Sequence, residues 1–326
     1  MSDHVFHCGP VSIAVHAPSA PLYRKVAEQL GLYTVPWEPP YLAIHLLVRD
    51  ITEPAEDRAG DYLQCVRMRV DATAAGLRAA CESGAAAAYA AASRSWCIGV
   101  PPRADGAAVP DDVEDLIGLV LATAWREAGW VPLHAGAVVR KGCCALLTAP
   151  SGGGKTTLTA AFVRRGWQTL GDDKLLVRVG ADAVPEARAL VHHCNLHPLT
   201  RRWFPEVGDL ERLPRYSAST EKRKVHIDDI WPARTLTRGR PTHVVHIAAS
   251  ADARRLSATR LDATEILATL LRSTVIPNQP APARPLLVTL AAVAKQLDGW
   301  RVDVGPDAYA EPDCLEPIEA VLRGRG

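Results

Sequence analysis

Residues 143–165 read CCALLTAPSGGGKTTLTAAFVRR, and the fold is decided in this stretch. The apolar run Cys143–Thr148 has the length and composition of a buried strand, and residues 157–165 have those of a helix. Between them, Ala149-Pro150-Ser151-Gly152-Gly153-Gly154-Lys155-Thr156 follows the pattern G-x-x-x-x-G-K-[ST], with Ala149 in place of the leading glycine. Successive glycines let backbone N–H groups turn inward around a phosphate chain, and the helix N-terminus adds partial positive charge. The stretch therefore predicts a cradle for a nucleoside triphosphate, ATP with Mg²⁺. The residues from Ser151, Gly152, Gly153 and Gly154 to Thr157 surround the phosphates, Lys155 reaches the β/γ-phosphates, and the Thr156 hydroxyl ligates the metal. A plain glycine-rich turn would not need Lys155 and Thr156 between strand and helix.

Downstream, Gly166 is a natural helix stop and residues 167–170 read as a strand ending in Gly171-Asp172-Asp173. In an open α/β sheet the carboxyl ends of neighbouring strands share one edge, so these two carboxylates are expected beside the γ-phosphate. One can hold Mg²⁺ and one can accept a proton from an attacking hydroxyl. Upstream, Leu133-His134-Ala135 opens the same segment.

At these separations, Leu133-His134-Ala135, the loop 149–156 and Gly171-Asp172-Asp173 resemble the catalytic domain of bacterial HPr serine kinases and their relatives. That P-loop group is related to phosphoenolpyruvate carboxykinase and includes peptide-modifying kinases such as those acting on lasso peptides. The resemblance covers residues 133–173. It implies that Asp172 is the catalytic carboxylate, Asp173 its metal-binding neighbour and His134 a histidine beside the catalytic Asp, with Lys155 on the triphosphate. Thr157 stands where HPr kinases usually carry Glu, and the C-terminal half has no Glu-Ile-Arg-Gly segment. Both departures point away from HPr as acceptor and from a reversible reaction.

The expected fold class is α/β: a P-loop domain over residues 111–326 and a smaller α+β domain over 1–110, divided at the proline-rich stretch 101–110. In the smaller domain, residues 22–30 read as a helix ending at Gly31, and 5–6, 11–15, 41–48 and 62–70 as strands, with 50–61 a loop. The alanine-rich stretch 72–92 reads as helical, and a helix is expected from Asp111-Asp112 to about Glu127.

A formal charge of +1 over 326 residues argues against a protein devoted to nucleic acid. The longest apolar runs fall short of a membrane span, and the start carries no secretory pattern. Eight scattered cysteines without a CxxC pair read as reduced thiols of a cytoplasmic protein. Three further clusters stand out. His192-His193-Cys194-Asn195-Leu196-His197 has metal-site composition but matches no zinc spacing, so a loop or strand beyond the sheet is the plainer reading. Glu221-Lys222-Arg223-Lys224 reads as a solvated face, or as a basic turn that steadies charge near the phosphates. Arg201-Arg202-Trp203 reads equally as a substrate contact or an exposed helix end.

These features converge on an ATP-dependent kinase acting on a hydroxyl, expected to be a serine of a peptide or protein. The alternatives are a kinase for a free amino acid or sugar, and a nucleotide-sensing binding module without phosphoryl transfer. No Asn-Lys-x-Asp element is present to read guanine. The relatives often assemble, which leaves a homo-oligomer open.

Overall fold

The structure is a computed structural model that describes residues 4–33, 35–51, 63–64, 68–101, 108–216, 220–250, 256–305, 309 and 312–324. It divides into two compact units, residues 1–130 with 276–286 and residues 131–275 with 287–326. The expected junction at residue 110 lies inside the first unit. The expected loop over 50–61 falls almost wholly outside the described residues.

The first unit is an eight-stranded sheet with two helices. Its elements are β1 (His4–Cys8), β2 (Val11–His16), α1 (Ala20–Leu30), β3 (Leu42–Asp50), β4 (Leu63–Gln64), β5 (Met68–Thr73), β6 (Gly76–Cys81), β7 (Ala86–Ala90), β8 (Ser95–Val100) and α2 (Val113–Glu127). The strand order is β1-β2-β3-β8-β7-β6-β5-β4, with β2, β3 and β8 running parallel. Helix α1 buries Leu22, Val26 and Leu30, a four-residue repeat that gives one apolar face, and stops at Gly31. The first turn of α2 carries Glu114 and Asp115, favourable at the positive end of a helix.

The helical expectation for residues 72–92 is overturned. This stretch holds strands β6 and β7, paired antiparallel with Ala79 opposite Ala87. Gly84 takes φ 82° in the turn between them. Alanine's high helix propensity is a local preference of a few tenths of a kcal/mol per residue. Here Leu77, Ala79 and Cys81 alternate inward with Ala87 and Tyr89, and ladder pairing with β5 and β8 outweighs that preference.

The second unit is a mixed α/β assembly of three sheets. Its elements are β9 (Val131–Leu133), β10 (Gly136–Arg140), β11 (Cys143–Thr148), α3 (Lys155–Arg164), β12 (Gln168–Gly171), β13 (Leu175–Val179), β14 (Pro185–Ala189), β15 (His193–Leu196), β16 (Arg223–His226), α4 (Ile227–Ile230), β17 (Arg238–Gly239), β18 (His243–Ala249), β19 (Leu256–Leu261), α5 (Ala263–Arg272), α6 (Pro280–Ala294), β20 (Asp298–Val304) and α7 (Glu316–Arg323); the first residues of α6 belong to the other unit. The six-stranded sheet runs β12-β10-β11-β18-β20-β19; β17-β14-β13-β9 and β15-β16 form the other two. Every residue of β11 is buried, as a strand flanked on both faces requires. Strand β10 is antiparallel to both β11 and β12, so β11 and β12 end on the same edge, which carries the glycine-rich loop and the acidic pair.

Phe162 of α3 packs edge-on to Trp167 within a core that includes Leu147, Leu158, Val245 and Ile318. The Glu319 carboxylate of α7 accepts from Arg165 at 3.0 Å and from the Trp167 indole at 2.9 Å, tying the last helix to the end of α3. None of Cys8, Cys81, Cys97, Cys143, Cys144 and Cys194 is in a disulfide. Among the described residues, no helix is long and apolar enough to cross a membrane.

The strand assignment of the alanine-rich stretch is testable by alternation. Along β7 burial alternates residue by residue, so Ala87 is 4% exposed and its neighbour Ala88 is exposed. Ala87→Asp should destabilise the chain by about 3 kcal/mol or more, because a carboxylate would be buried without a partner. Ala88→Asp should stay within about 0.5 kcal/mol of the parent in urea denaturation.

Candidate active site

Lys155 opens α3 and is only 7% exposed. Its Nζ donates to Asp173 Oδ1 at 2.9 Å and lies 3.2 Å from His134 Nε2. His134 Nδ1 is 3.1 Å from the same Asp173 oxygen. The neighbouring Thr156 Oγ1 donates to Asp172 Oδ2 at 2.6 Å, and the backbone N–H of Asn195 donates to that oxygen at 3.3 Å. The three motifs separated in sequence by up to forty residues thus form one cluster at the end of β11.

Two glycines make this approach feasible. Gly154 caps α3 with φ 91°, the left-handed region that a side chain strains, and a Cβ there would stand 3.2 Å from the Tyr309 hydroxyl. Gly171 has φ 121°, and a Cβ there would lie 2.8 Å from the Val191 carbonyl oxygen. It is the turn at Gly171 that aims Asp172 beneath the loop.

The two adjacent carboxylates are pushed in opposite directions. Burial, reinforced by the charge of Asp173, raises Asp172 to about 6, although Thr156, Lys155 and the Asn195 amide favour its anion. Burial also pushes Asp173 upward, but Lys155 and His134 outweigh it and hold Asp173 below the ordinary carboxylate value. His134 is lowered by desolvation of its inner side and by the nearby lysines 155, 174 and 222, against the pull of Asp173. A neutral imidazole that accepts from the Lys155 ammonium at Nε2 must carry its proton on Nδ1, which then donates to Asp173. The histidine's carboxylate partner is therefore Asp173, the residue next to Asp172.

The donors suit the nucleotide and metal implied by the motif. Thr156, Asp172 and Asp173 supply hard oxygen atoms, the kind that hold Mg²⁺, and among the described residues the buried Asp172 Oδ1 has no hydrogen-bond partner. The first N–H groups of α3, those of Lys155, Thr156 and Thr157, have no carbonyl of their own helix to bond, and such a helix end favours an anion. Ser151 and Gly152 are exposed at the mouth of the loop. Gly153 differs from expectation: its N–H donates to the Pro150 carbonyl at 2.9 Å, which shapes the loop but removes that amide from the cradle.

No protein-family model matches this sequence, and no curated protein matches it. Among solved structures, the chain is similar to the HPr(Ser) kinase/phosphatase from Coxiella burnetii. The identity is 9% and the TM-score 0.33, over 60% of this chain and 99% of that one.

Sequence reasoning missed Asn195 as a member of this cluster. Its segment and the basic run 221–224 belong together: β15 and β16 pair antiparallel, Cys194 opposite Val225 and Asn195 opposite Lys224. The alternation of apolar Cys194 and Leu196 with polar neighbours was the available signal, repeated in Val225 and Ile227. The histidines of this segment diverge. His192 Nε2 lies 3.0 Å from the Leu236 carbonyl oxygen, His193 packs 6.5 Å from the His226 ring, and His197 Nδ1 accepts from the Leu199 N–H. Among the described residues, no group of three or more His, Cys, Asp or Glu could hold a metal ion. In the stretch 201–203, Arg202 stacks on Trp203 at 4.0 Å, and Trp203 meets the Tyr309 ring edge-on at 5.5 Å. A separate cavity lined by Arg140, Trp167, His243 and Arg323 opens at the start of β11, the end opposite the loop.

Gly171→Ala tests how the acidic pair is placed. The added methyl meets the Val191 carbonyl in a strained backbone region, at a cost of about 1–3 kcal/mol. Thermal melting should register the loss, and affinity for Mg·ATP should fall with it.

Proposed function

We propose that this chain is an ATP-dependent phosphotransferase that moves the γ-phosphoryl group of Mg·ATP to a hydroxyl, with a serine of a peptide or protein as acceptor. The reading is carried by one observation: the Thr156 hydroxyl of the glycine-rich loop hydrogen-bonds the fully buried carboxylate of Asp172 at 2.6 Å. A module that only senses nucleotide has less need of a base, so a second carboxylate beside the metal-binding one weighs against that alternative. Beside it Lys155, Asp173 and His134 complete a polar cluster fitted to phosphate, metal and proton.

In this reaction the α3 N-terminus and Lys155 hold the triphosphate and offset its charge. Thr156 and Asp173 would hold Mg²⁺, which supplies charge neutralisation at the phosphates when bound. Asp172 Oδ1, buried and without a hydrogen-bond partner among the described residues, is an acceptor atom that a hydroxyl admitted to the site would satisfy. A carboxylate raised to about 6 is ionised at neutral pH and still basic enough to take that proton. His134 holds Asp173 in orientation from the more exposed side of the site. The acceptor class rests on the resemblance to serine kinases, and the missing Glu-Ile-Arg-Gly segment sets HPr itself aside.

Lys155→Ala should weaken Mg·ATP binding by at least tenfold in calorimetry, the scale of a lost charge-assisted contact, with an unchanged circular dichroism spectrum. Equal affinity in parent and variant would refute the nucleotide site. Asp172→Asn should keep ATP affinity while turnover falls by about 10²-fold or more. In the parent, turnover should rise with pH through about 6 as Asp172 deprotonates, and then level off. A rate that falls over that interval contradicts a basic role for Asp172. Mass spectrometry should find one added phosphate on a serine-bearing peptide encoded near this chain, and none on HPr. Transfer to a free amino acid or sugar instead would move the protein to the small-molecule kinases.

A further inference from the structure

The β15–β16 ribbon explains two sequence clusters that had no assigned role. Its apolar side, Cys194, Leu196 and Val225, is buried in the core of the second unit. Side chains alternate across a strand, so His193 and Asn195 share the other face with Lys224 and His226, and Lys222 continues that face one step earlier. The Asn195 N–H points outward to Asp172, not across to β16. Asn195 and Lys224 are therefore a non-hydrogen-bonded pair, in which opposed side chains stand closest, with Cβ atoms about 4.5–5.5 Å apart. Asn195 thus bonds Asp172 through its backbone while its side chain stands opposite that of Lys224. The electrostatics agree: Lys222 acts on His134, while Lys224, Lys174 and Asp173 all act on His193.

Neither Lys222 nor Lys224 forms an ion pair with any described carboxylate. Both lysines are half-buried, and among the described residues no ion pair neutralises either one, so the pair of charges favours an anion. The charges fit a nucleotide. A Mg·ATP dianion placed against Asp172 and Asp173 meets one cation, Lys155, from the loop, and Lys222 and Lys224 would offset part of the remaining negative charge.

We propose that the polar face of the β15–β16 ribbon is the wall of the site that contacts the γ-phosphoryl oxygens, with Lys222 and Lys224 as catalytic residues that take up the charge of the group being transferred. The assignment rests on the nucleotide reading of the loop. It differs from that reading in assigning the terminal phosphate to a segment about forty residues or more beyond the motif.

The γ-phosphate distinguishes ATP from ADP, so the test compares the two nucleotides on the full chain. Calorimetry with Mg·ATP and Mg·ADP should show that the parent prefers ATP. Lys224→Ala should weaken ATP about tenfold while leaving ADP unchanged, Lys222→Ala should act in the same direction, and Lys224→Arg should retain the preference. Unchanged affinities in both alanine variants overturn the assignment. So does an equal loss for ATP and ADP, which would give the lysines to the inner phosphates, and so does a parent that does not distinguish the nucleotides. Failure of the underlying reading has its own signature: the parent binds neither nucleotide, or Lys155→Ala binds both as well as the parent does.

Discussion

The second unit is organised around a carboxylate with no access to water. An ionised side chain taken out of solvent must recover its lost hydration from hydrogen bonds, or it neutralises. Asp172 recovers part of it from Thr156 at the start of α3 and part from the Asn195 N–H at the edge of β15. One side chain therefore fixes three elements with respect to each other: the helix after the loop, the end of β12 and the ribbon. A shift of any of them would weaken the hydrogen bonds that Asp172 Oδ2 accepts. The cluster is as much a structural keystone of the unit as a candidate for chemistry, and Gly171 is the residue whose backbone allows both.

The neighbouring Asp173 shows how finely that environment is graded. The two carboxylates are adjacent in the chain and both are largely shielded, yet one is raised and the other lowered. The difference lies in their partners. Asp173 faces the Lys155 ammonium and the His134 ring, while Asp172 receives only uncharged donors as direct partners. Two titratable groups whose surroundings separate their proton affinities can divide the tasks of proton acceptor and charge holder, which is what phosphoryl transfer to a hydroxyl asks of a site.

Much of this was legible in the sequence because it is local. The order strand, glycine-rich loop, helix follows from composition and from a motif eight residues long, and Gly166 closes the helix with φ 90°. The gathering of His134, Lys155 and the acidic pair was legible only through spacing. Their pairing was not: which Asp the histidine meets depends on the φ of Gly171 and on where β12 lies beside β10. The ribbon was hidden for a different reason. Residues 193–196 and 223–226 become one object only by pairing across the intervening chain, and each half alone resembles a loop or a solvated charge run. The alanine-rich stretch failed oppositely, since a strong local preference is there overruled by neighbours on both sides of the sheet.

In the proposed reaction Lys155 has competing obligations. The Nζ that now donates to Asp173 and faces His134 is the group expected to reach the β/γ-phosphates. An ammonium carries three donors, so it can keep one carboxylate while turning to a phosphate, but it cannot hold Asp173, His134 and two phosphate oxygens at full strength. The weakest of these bonds is the one to neutral His134, and that is the bond phosphate would displace. His134 Nε2 then becomes available on the side of the site that is open to solvent, where 55% of its side chain is exposed. A single lysine thus serves both the phosphates and the His134–Asp173 pair in the proposed reaction.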